Sequence, residues 1–220
     1  MSSAELQKPK AILFDWDNTL VDSWAIIFDA LNFTFEAFGK DLWTMEQTRV
    51  RVRKSLRDSF PEVFGDDWKK AADVFYGRFD EIHISQLNPI DGAGDMLAQL
   101  ADSGIFLGVV SNKRGEYLRK EAVHLGWDVH FSSLVGALDA KQDKPAKDPV
   151  ELALADYQHK SGPDIWFVGD ADIDMECAVN SDLTPVLLRK DIPAQDEFQD
   201  YQPVYHFVDC DMLSKMVMNM

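Results

Sequence analysis

Short apolar runs in this 220-residue chain are each followed by residues able to do chemistry. Ala11–Phe14 leads into Asp15-Trp16-Asp17-Asn18-Thr19, and Ile105–Val110 leads into Ser111-Asn112-Lys113. Ile165–Val168 leads into Gly169-Asp170-Ala171-Asp172-Ile173-Asp174, and a loop ahead of a helical pattern carries Lys144-Pro145. In an open α/β sheet the ligand site lies beyond the carboxyl ends of the strands. Such a sheet would gather at least three carboxylates, a hydroxyl and a lysine at one end. Like charges about 4 Å apart repel by roughly 4 kcal/mol at an effective dielectric of 20. The cluster therefore needs a cation, or some of its members must be protonated. Oxygen-only donors suit a hard ion such as Mg²⁺, and the lack of clustered His or Cys speaks against zinc. Asp15 and Asp17, at i and i+2 of extended chain, project to the same side and can share a site.

The elements that must position these groups follow from hydrophobic periodicity. The apolar runs, with others at Phe131–Gly136 and Pro185–Leu188 and an edge run at Tyr205–Val208, are four to six residues long and bounded by Gly, Asp, Ser or Pro, as buried strands are. Helical patterns lie between them at 93–103, 115–125, 147–160 and 172–180, and Asp209 would cap a last helix ending near Met218. This alternation predicts a Rossmann-like α/β core with a parallel sheet covered on both faces. One interval breaks it. From Asp22 to Asn88 the chain reads as helices, the first marked by Trp24, Ile27, Phe28, Leu31 and Phe35, the others near 45–59 and 67–86, with Pro61 and Gly65 at their join. The reading is a core of residues 1–21 and 89–220 carrying an inserted all-helical domain, 22–88, that returns through Asn88-Pro89-Ile90-Asp91-Gly92.

Composition bounds the partners. With 22 Lys+Arg against 38 Asp+Glu the net charge is -16, which argues against gripping a nucleic-acid polymer or an anionic membrane surface. A small anionic ligand stays compatible, because one metal ion and a few cations can reverse the local field. Two cysteines, Cys177 and Cys210, make no disulfide framework, so a reducing, cytoplasmic setting is expected. Met1–Lys10 has no apolar stretch resembling a signal peptide.

Taken in order, these segments resemble the four motifs of the haloacid dehalogenase-like superfamily. Asp15, Asp17 and Thr19 in ILFDWDNTL match its first motif, Ser111 in GVVSN its second, and Lys144 in DKPAKDP its third. Gly169, Asp170 and Asp174 in FVGDADID match the fourth, and the likeness runs from about Lys10 to Arg189. A helical insert between the first two motifs is similar to the type-1 cap of the phosphoglycolate phosphatase-like branch. The resemblance implies Mg²⁺-dependent hydrolysis of a small phosphorylated metabolite. It implies Asp15 as nucleophile and Asp17 as acid and then base. It also implies a metal held by Asp15, the Asp17 carbonyl and Asp170 with Asp174 in support, and phosphoryl oxygens held by Ser111 and Lys144. A phosphomutase of the same family would share these residues, although Thr19 favours a phosphatase. A dehalogenase would need neither Asp17 nor a metal. A phospho-Asp receiver module would not carry the insert or place its nucleophile on the first strand.

Several positions leave alternatives. Trp16 and Asn18 stand where many relatives carry a smaller apolar residue and Gly, and Trp16 would face the cap or the substrate. Lys147 is a second candidate for Lys144, and Asp172 for Asp174. Asn112, Lys113 and Arg114 either touch phosphate or substrate or only open the next helix. Arg49, Arg51, Arg53, Lys54 and Arg57 put five cations in nine residues. On one helix Arg49, Arg53 and Arg57 would form a stripe that is either a solvated face or a reach over the site, with Arg53 as the substrate-binding candidate. Trp24 and Phe28 either line the pocket or belong to a core. The five histidines show no ligand spacing, and Cys177 reads as packing.

Overall fold

The computed structural model describes residues 8–194 and 196–220, so most of the Met1–Lys10 stretch read above for a leader lies outside them. The chain opens with strand β1 (Ala11–Phe14), passes through β2 (Val21–Asp22) and forms helices α1 (Trp24–Ala37), α2 (Met45–Arg51), α3 (Leu56–Phe64) and α4 (Trp68–Ile82). It comes back through β3 (Asn88–Pro89), which pairs antiparallel with β2, Val21 facing Pro89 and Asp22 facing Asn88. There follow α5 (Ala93–Asp102), β4 (Phe106–Arg114), α6 (Gly115–Leu125), β5 (Ser133–Ala137) and α7 (Asp148–Ala153). The chain closes with β6 (Gly162–Gly169), α8 (Asp172–Asn180), β7 (Leu183–Leu188), β8 (Tyr205–Phe207) and α9 (Cys210–Met218).

Six strands make one parallel sheet in the order β5-β4-β1-β6-β7-β8. Numbered within the sheet, that order is 3-2-1-4-5-6, the Rossmann arrangement, whose ligand crevice opens where the strand order reverses. Here the reversal falls between β1 and β6.

The central strands alternate their side chains between two buried faces. Ile12 and Phe14 pack with Trp166, Val168, Met96, Leu97 and Leu213 on one face. Ala11 and Leu13 pack with Ile165, Phe167, Val150, Cys177 and Ala178 on the other. A sheet covered on both faces leaves no polar side for its strands, which is why they read as unbroken apolar runs.

The inserted helices have a separate core. Phe35, Phe60, Phe64, Phe75 and Phe79 are all buried, joined by Tyr117 from α6. Their rings meet edge-on or stacked, with Phe60 and Phe75 centroids 5.7 Å apart and Phe35 and Phe64 5.8 Å apart. Burial of each such ring contributes about 1.5–3 kcal/mol.

The single helix expected near 45–59 is two. Thr44 opens α2 with a capping box, its Oγ1 accepting from the Gln47 amide at 3.1 Å while Gln47 accepts from the Thr44 amide at 2.9 Å. The helix stops at Arg51, Val52 turns extended, and Ser55 precedes a fresh start whose hydroxyl bonds Asp58 at 3.1 Å. Like charges spaced i, i+4 oppose helix formation, and Arg49, Arg53 and Arg57 would have been so spaced. The stripe therefore does not exist: Arg49 sits on α2, Arg53 in the linker and Arg57 on α3. Pro61 lies inside α3 and the join is made by Gly65, whose φ of 55° suits glycine. The 67–86 and 147–160 patterns are shorter helices, Trp68–Ile82 and Asp148–Ala153, each followed by turns. None of the described helices is long and apolar enough to cross a membrane.

Candidate active site

The first motif leaves β1 in a tight turn. The Asp15 amide donates to Val168 O at 2.8 Å, tying the β1 exit to β6. Asn18 takes φ 65° and its amide donates to Val21 O at 2.6 Å. That left-handed conformation costs Asn less than most residues, which accounts for Asn where relatives carry Gly. Thr19 is fully buried below the turn, its Oγ1 3.5 Å from Asp170 Oδ1.

Lys144 closes the site from the loop before α7. Its Nζ lies 2.7 Å from Asp15 Oδ1 and 2.7 Å from Asp174 Oδ1, and the lysine is only 2% exposed. Lys147 stays outside and pairs with Glu151 at 2.9 Å. Asp174 is buried on the first turn of α8, where its Oδ2 accepts from the Ala171 amide at 3.1 Å. Gly169 makes that position available, because a Cβ there would stand 2.3 Å from the Asp174 Cβ. Asp172 points outward and meets Arg53 at 3.7 Å. Ser111, 3% exposed near the end of β4, accepts from the Lys113 amide at 3.1 Å. Asn112 donates to Lys144 O at 3.3 Å, while its Oδ1 is buried without a partner.

Oxygens of Asp15, Asp170 and Asp174 lie within 4.8 Å of one another. Burial first, then the neighbouring carboxylates, push the Asp15 carboxyl up to about 7 against the pull of Lys144. Asp170 is raised well above the usual carboxylate range, by burial and then by Asp174 and Asp15. Burial opposes the charge of Lys144, but Asp15 and Asp174 outweigh it and hold the ammonium protonated. One lysine among three carboxylates leaves an excess of negative charge whenever all three are ionised. That excess and the all-oxygen donors fit a hard divalent cation.

A second buried group stands behind Asp17. Lys113 Nζ reaches Asp17 Oδ1 at 2.7 Å and Glu121 Oε2 at 2.6 Å. Ser23 donates to the same Asp17 oxygen. Glu121, fully buried on α6, also accepts from Trp16 Nε1 at 2.7 Å and bonds His83 Nδ1 at 2.9 Å. Burial alone would raise Glu121, but Lys113, His83 and Trp16 together hold it below the usual range. Lys113 therefore neither opens a helix nor reaches for phosphate in this arrangement. Trp16 is fully buried, edge-on to Trp127 with centroids 5.9 Å apart, so it faces the core rather than the cap or a substrate. Glu121 and His83 escaped the sequence reading. The available signal was a glutamate on the face of α6 that also buries Tyr117, Leu118 and Ala122, since a carboxylate buried among apolar residues demands a cation.

Above these residues a cavity of about 450 Å³ extends between the sheet end and the inserted helices, lined by Asp15, Asp17, Ser111, Asn112, Lys144, Asp170 and Asp174 at its floor. Trp24 and Arg53 line it from above, and Phe28 is not among the lining residues. Arg57 joins the insert to the core elsewhere, its Nε 2.7 Å from Asp143 Oδ2.

The chain as a whole is similar to known proteins. The profile described as haloacid dehalogenase-like hydrolase matches residues 12–187. The chain is 31% identical over 175 residues to a phosphoglycolate phosphatase of Xanthomonas campestris pv. campestris, covering 77% of this chain and 78% of that one. It is 24% identical over 214 residues to the pyrophosphatase PpaX of Listeria monocytogenes, covering 95% and 94%. In three dimensions it resembles a haloacid dehalogenase-like family hydrolase of Streptococcus pneumoniae, with a TM-score of 0.83 at 22% identity over 98% of this chain and 100% of that one.

Proposed function

This chain belongs to the haloacid dehalogenase-like hydrolase family, and from that premise we propose that it is a Mg²⁺-dependent phosphatase acting on a small phosphomonoester through an aspartyl-phosphate. The observation that carries this reading is the placement of Asp15. It stands at the end of β1, beside the reversal in strand order, bonded to Lys144 and grouped with Asp170 and Asp174.

Asp15, the Asp17 carbonyl and Asp170 would hold the ion, with Asp174 in support. When bound, Mg²⁺ offsets the carboxylate charge and polarises phosphoryl oxygens. An Asp15 oxygen attacks phosphorus while the bond to the substrate's ester oxygen breaks. The Asp17 carboxyl gives its proton to that leaving oxygen, releasing the alcohol. Asp17, now ionised, takes a proton from water as the water oxygen attacks phosphorus and the Asp15–phosphorus bond breaks. Phosphate leaves, and both carboxyls return to their starting states. Ser111 and Lys144 bind phosphoryl oxygens and offset charge that develops during transfer. Thr19 supports the floor beside Asp170, and Asn112 steadies the Lys144 backbone. The inserted helices, residues 22–88, cover the site and exclude bulk water.

The test is phosphate release from a panel of phosphomonoesters with and without Mg²⁺, with Asp15→Asn as control. Metal-dependent release by the natural protein and none by the variant is expected. Isomerisation of a sugar phosphate without release would favour a mutase instead.

A further inference from the structure

The cavity above the phosphoryl site is larger and less polar than a short acidic metabolite requires. Its floor carries the catalytic groups, but its walls belong to the insert and include Trp24, Ile27, Trp43, Leu56 and Tyr76, all partly exposed, the last four also packing against the helical core. Sites that bind small organic molecules have this make-up, with an apolar body and a few polar groups that fix orientation.

The cations along the cavity already have partners. Lys144 bonds Asp15 and Asp174, each at 2.7 Å, and Lys113 is held by Asp17 at 2.7 Å and Glu121 at 2.6 Å. Arg114 pairs with Glu116 at 3.1 Å and lies 5.0 Å over the Tyr76 ring. Lys54 meets Glu62 at 3.5 Å, and Arg53 meets Asp172 at 3.7 Å. Among the described residues that leaves Arg51, which is exposed and stacked 4.9 Å over Trp43. A carboxylate or second phosphate on the leaving group would give up hydration in a largely apolar chamber and would meet, among the described residues, a single cation without a carboxylate partner, the exposed Arg51.

We infer that the substrate is the phosphomonoester of an alcohol bearing an uncharged, largely apolar group about the size of a ring, which lies against the Trp24, Ile27, Leu56 and Tyr76 wall. This rests on the phosphatase reading and specifies the part of the substrate that reading leaves open. It also separates this chain from what the names of its phosphoglycolate- and pyrophosphate-cleaving relatives suggest. Burial of a phenyl-sized group on such a wall raises specificity by about 10- to 100-fold.

The experiment compares kcat/KM with Mg²⁺ for 2-phenylethyl phosphate, ethyl phosphate and phosphoglycolate, whose leaving alcohols are of similar basicity, with p-nitrophenyl phosphate as a reference ester. The expected result is a preference for 2-phenylethyl phosphate over both others by about 10-fold or more. Trp24→Ala and Leu56→Ala, each at a partly exposed position, should narrow that ratio, with thermal unfolding followed to verify the fold. A ratio near one, or a preference for phosphoglycolate, overturns the inference and leaves the phosphatase reading standing. No metal-dependent release from any of the four esters overturns both.

Discussion

Lys113 Nζ lies 2.7 Å from Asp17 Oδ1, which places a buried ammonium on the carboxyl assigned to proton transfer. The lysine is itself aimed by Glu121, 2.6 Å away, and Glu121 is shared with Trp16 and His83. Asp17 is thus positioned by residues from three separate parts of the chain, while Asp15 is positioned by Lys144.

Replacing Lys113 should expose that division of labour. Lys113→Met leaves Asp15 and Lys144 in place but frees Asp17. General acid catalysis is worth about 10²- to 10⁴-fold, and an alkyl phosphate needs its leaving oxygen protonated far more than p-nitrophenyl phosphate does. The variant should lose at least about tenfold more kcat/KM on ethyl phosphate than on p-nitrophenyl phosphate. Equal losses on both esters would mean that Lys113 only supports the fold.

Glu121 predicts a pH-dependent stability. Its carboxyl is held below its ordinary value of 4.5, despite burial, by Lys113, His83 and Trp16. A depressed carboxyl contributes stability that is complete above the unfolded value and lost as pH falls through the folded one. Breaking a buried pair by removing one partner costs about 3–5 kcal/mol. Urea unfolding should show Glu121→Gln destabilised by that order at neutral pH, with the gap to the natural protein closing in acid. A gap of the same size at both pH values would contradict the assignment.

The metal site has the opposite sign. With the Asp15 carboxyl raised from 3.8 to about 7, the metal-free protein gains stability from this group below the unfolded value and loses it as pH rises through 7. A cation that binds the ionised carboxylates reverses the loss. Added Mg²⁺ should therefore raise Tm little near about pH 5 and more near about pH 8. An increment that does not grow with pH would count against Asp15 as a ligand.

Gly169 tests the support of Asp174. A methyl group there would stand 2.3 Å from the Asp174 Cβ, so Gly169→Ala must push α8 or the carboxylate aside. Displacing a supporting group typically costs about 10- to 100-fold in metal affinity or activity. A Mg²⁺ titration of activity should shift to higher concentration by that order. An unshifted titration would show that Asp174 does not support the metal.

Much of this protein was legible along the chain because the information was local. Apolar runs announced strands buried on both faces, and polar residues just after them fell at the strand ends. Motif spacing favoured Asp174 but left Asp172 open, and it is the structure that buries Asp174 and pairs Asp172 with Arg53 outside. The inserted helices were legible from their aromatic periodicity, but the break between α2 and α3 was not. There, crowding of like charges and a fresh helix start after Ser55 prevailed over a continuous helical pattern.

What the sequence by itself determined is which polar residues follow the strands and the class of fold that carries them, since strand periodicity and short motifs depend on near neighbours. Only the tertiary structure decided what stands behind and above those residues. Trp16 and Glu121 are separated by 105 positions and His83 and Glu121 by 38, so no periodicity links them. Their meeting follows from α6 packing Tyr117 into the insert's core and presenting Glu121 to His83 at the end of α4, where a buried carboxylate must find donors. The apolar chamber has the same origin, because its walls come from helices whose aromatic faces, read singly, resemble any other core.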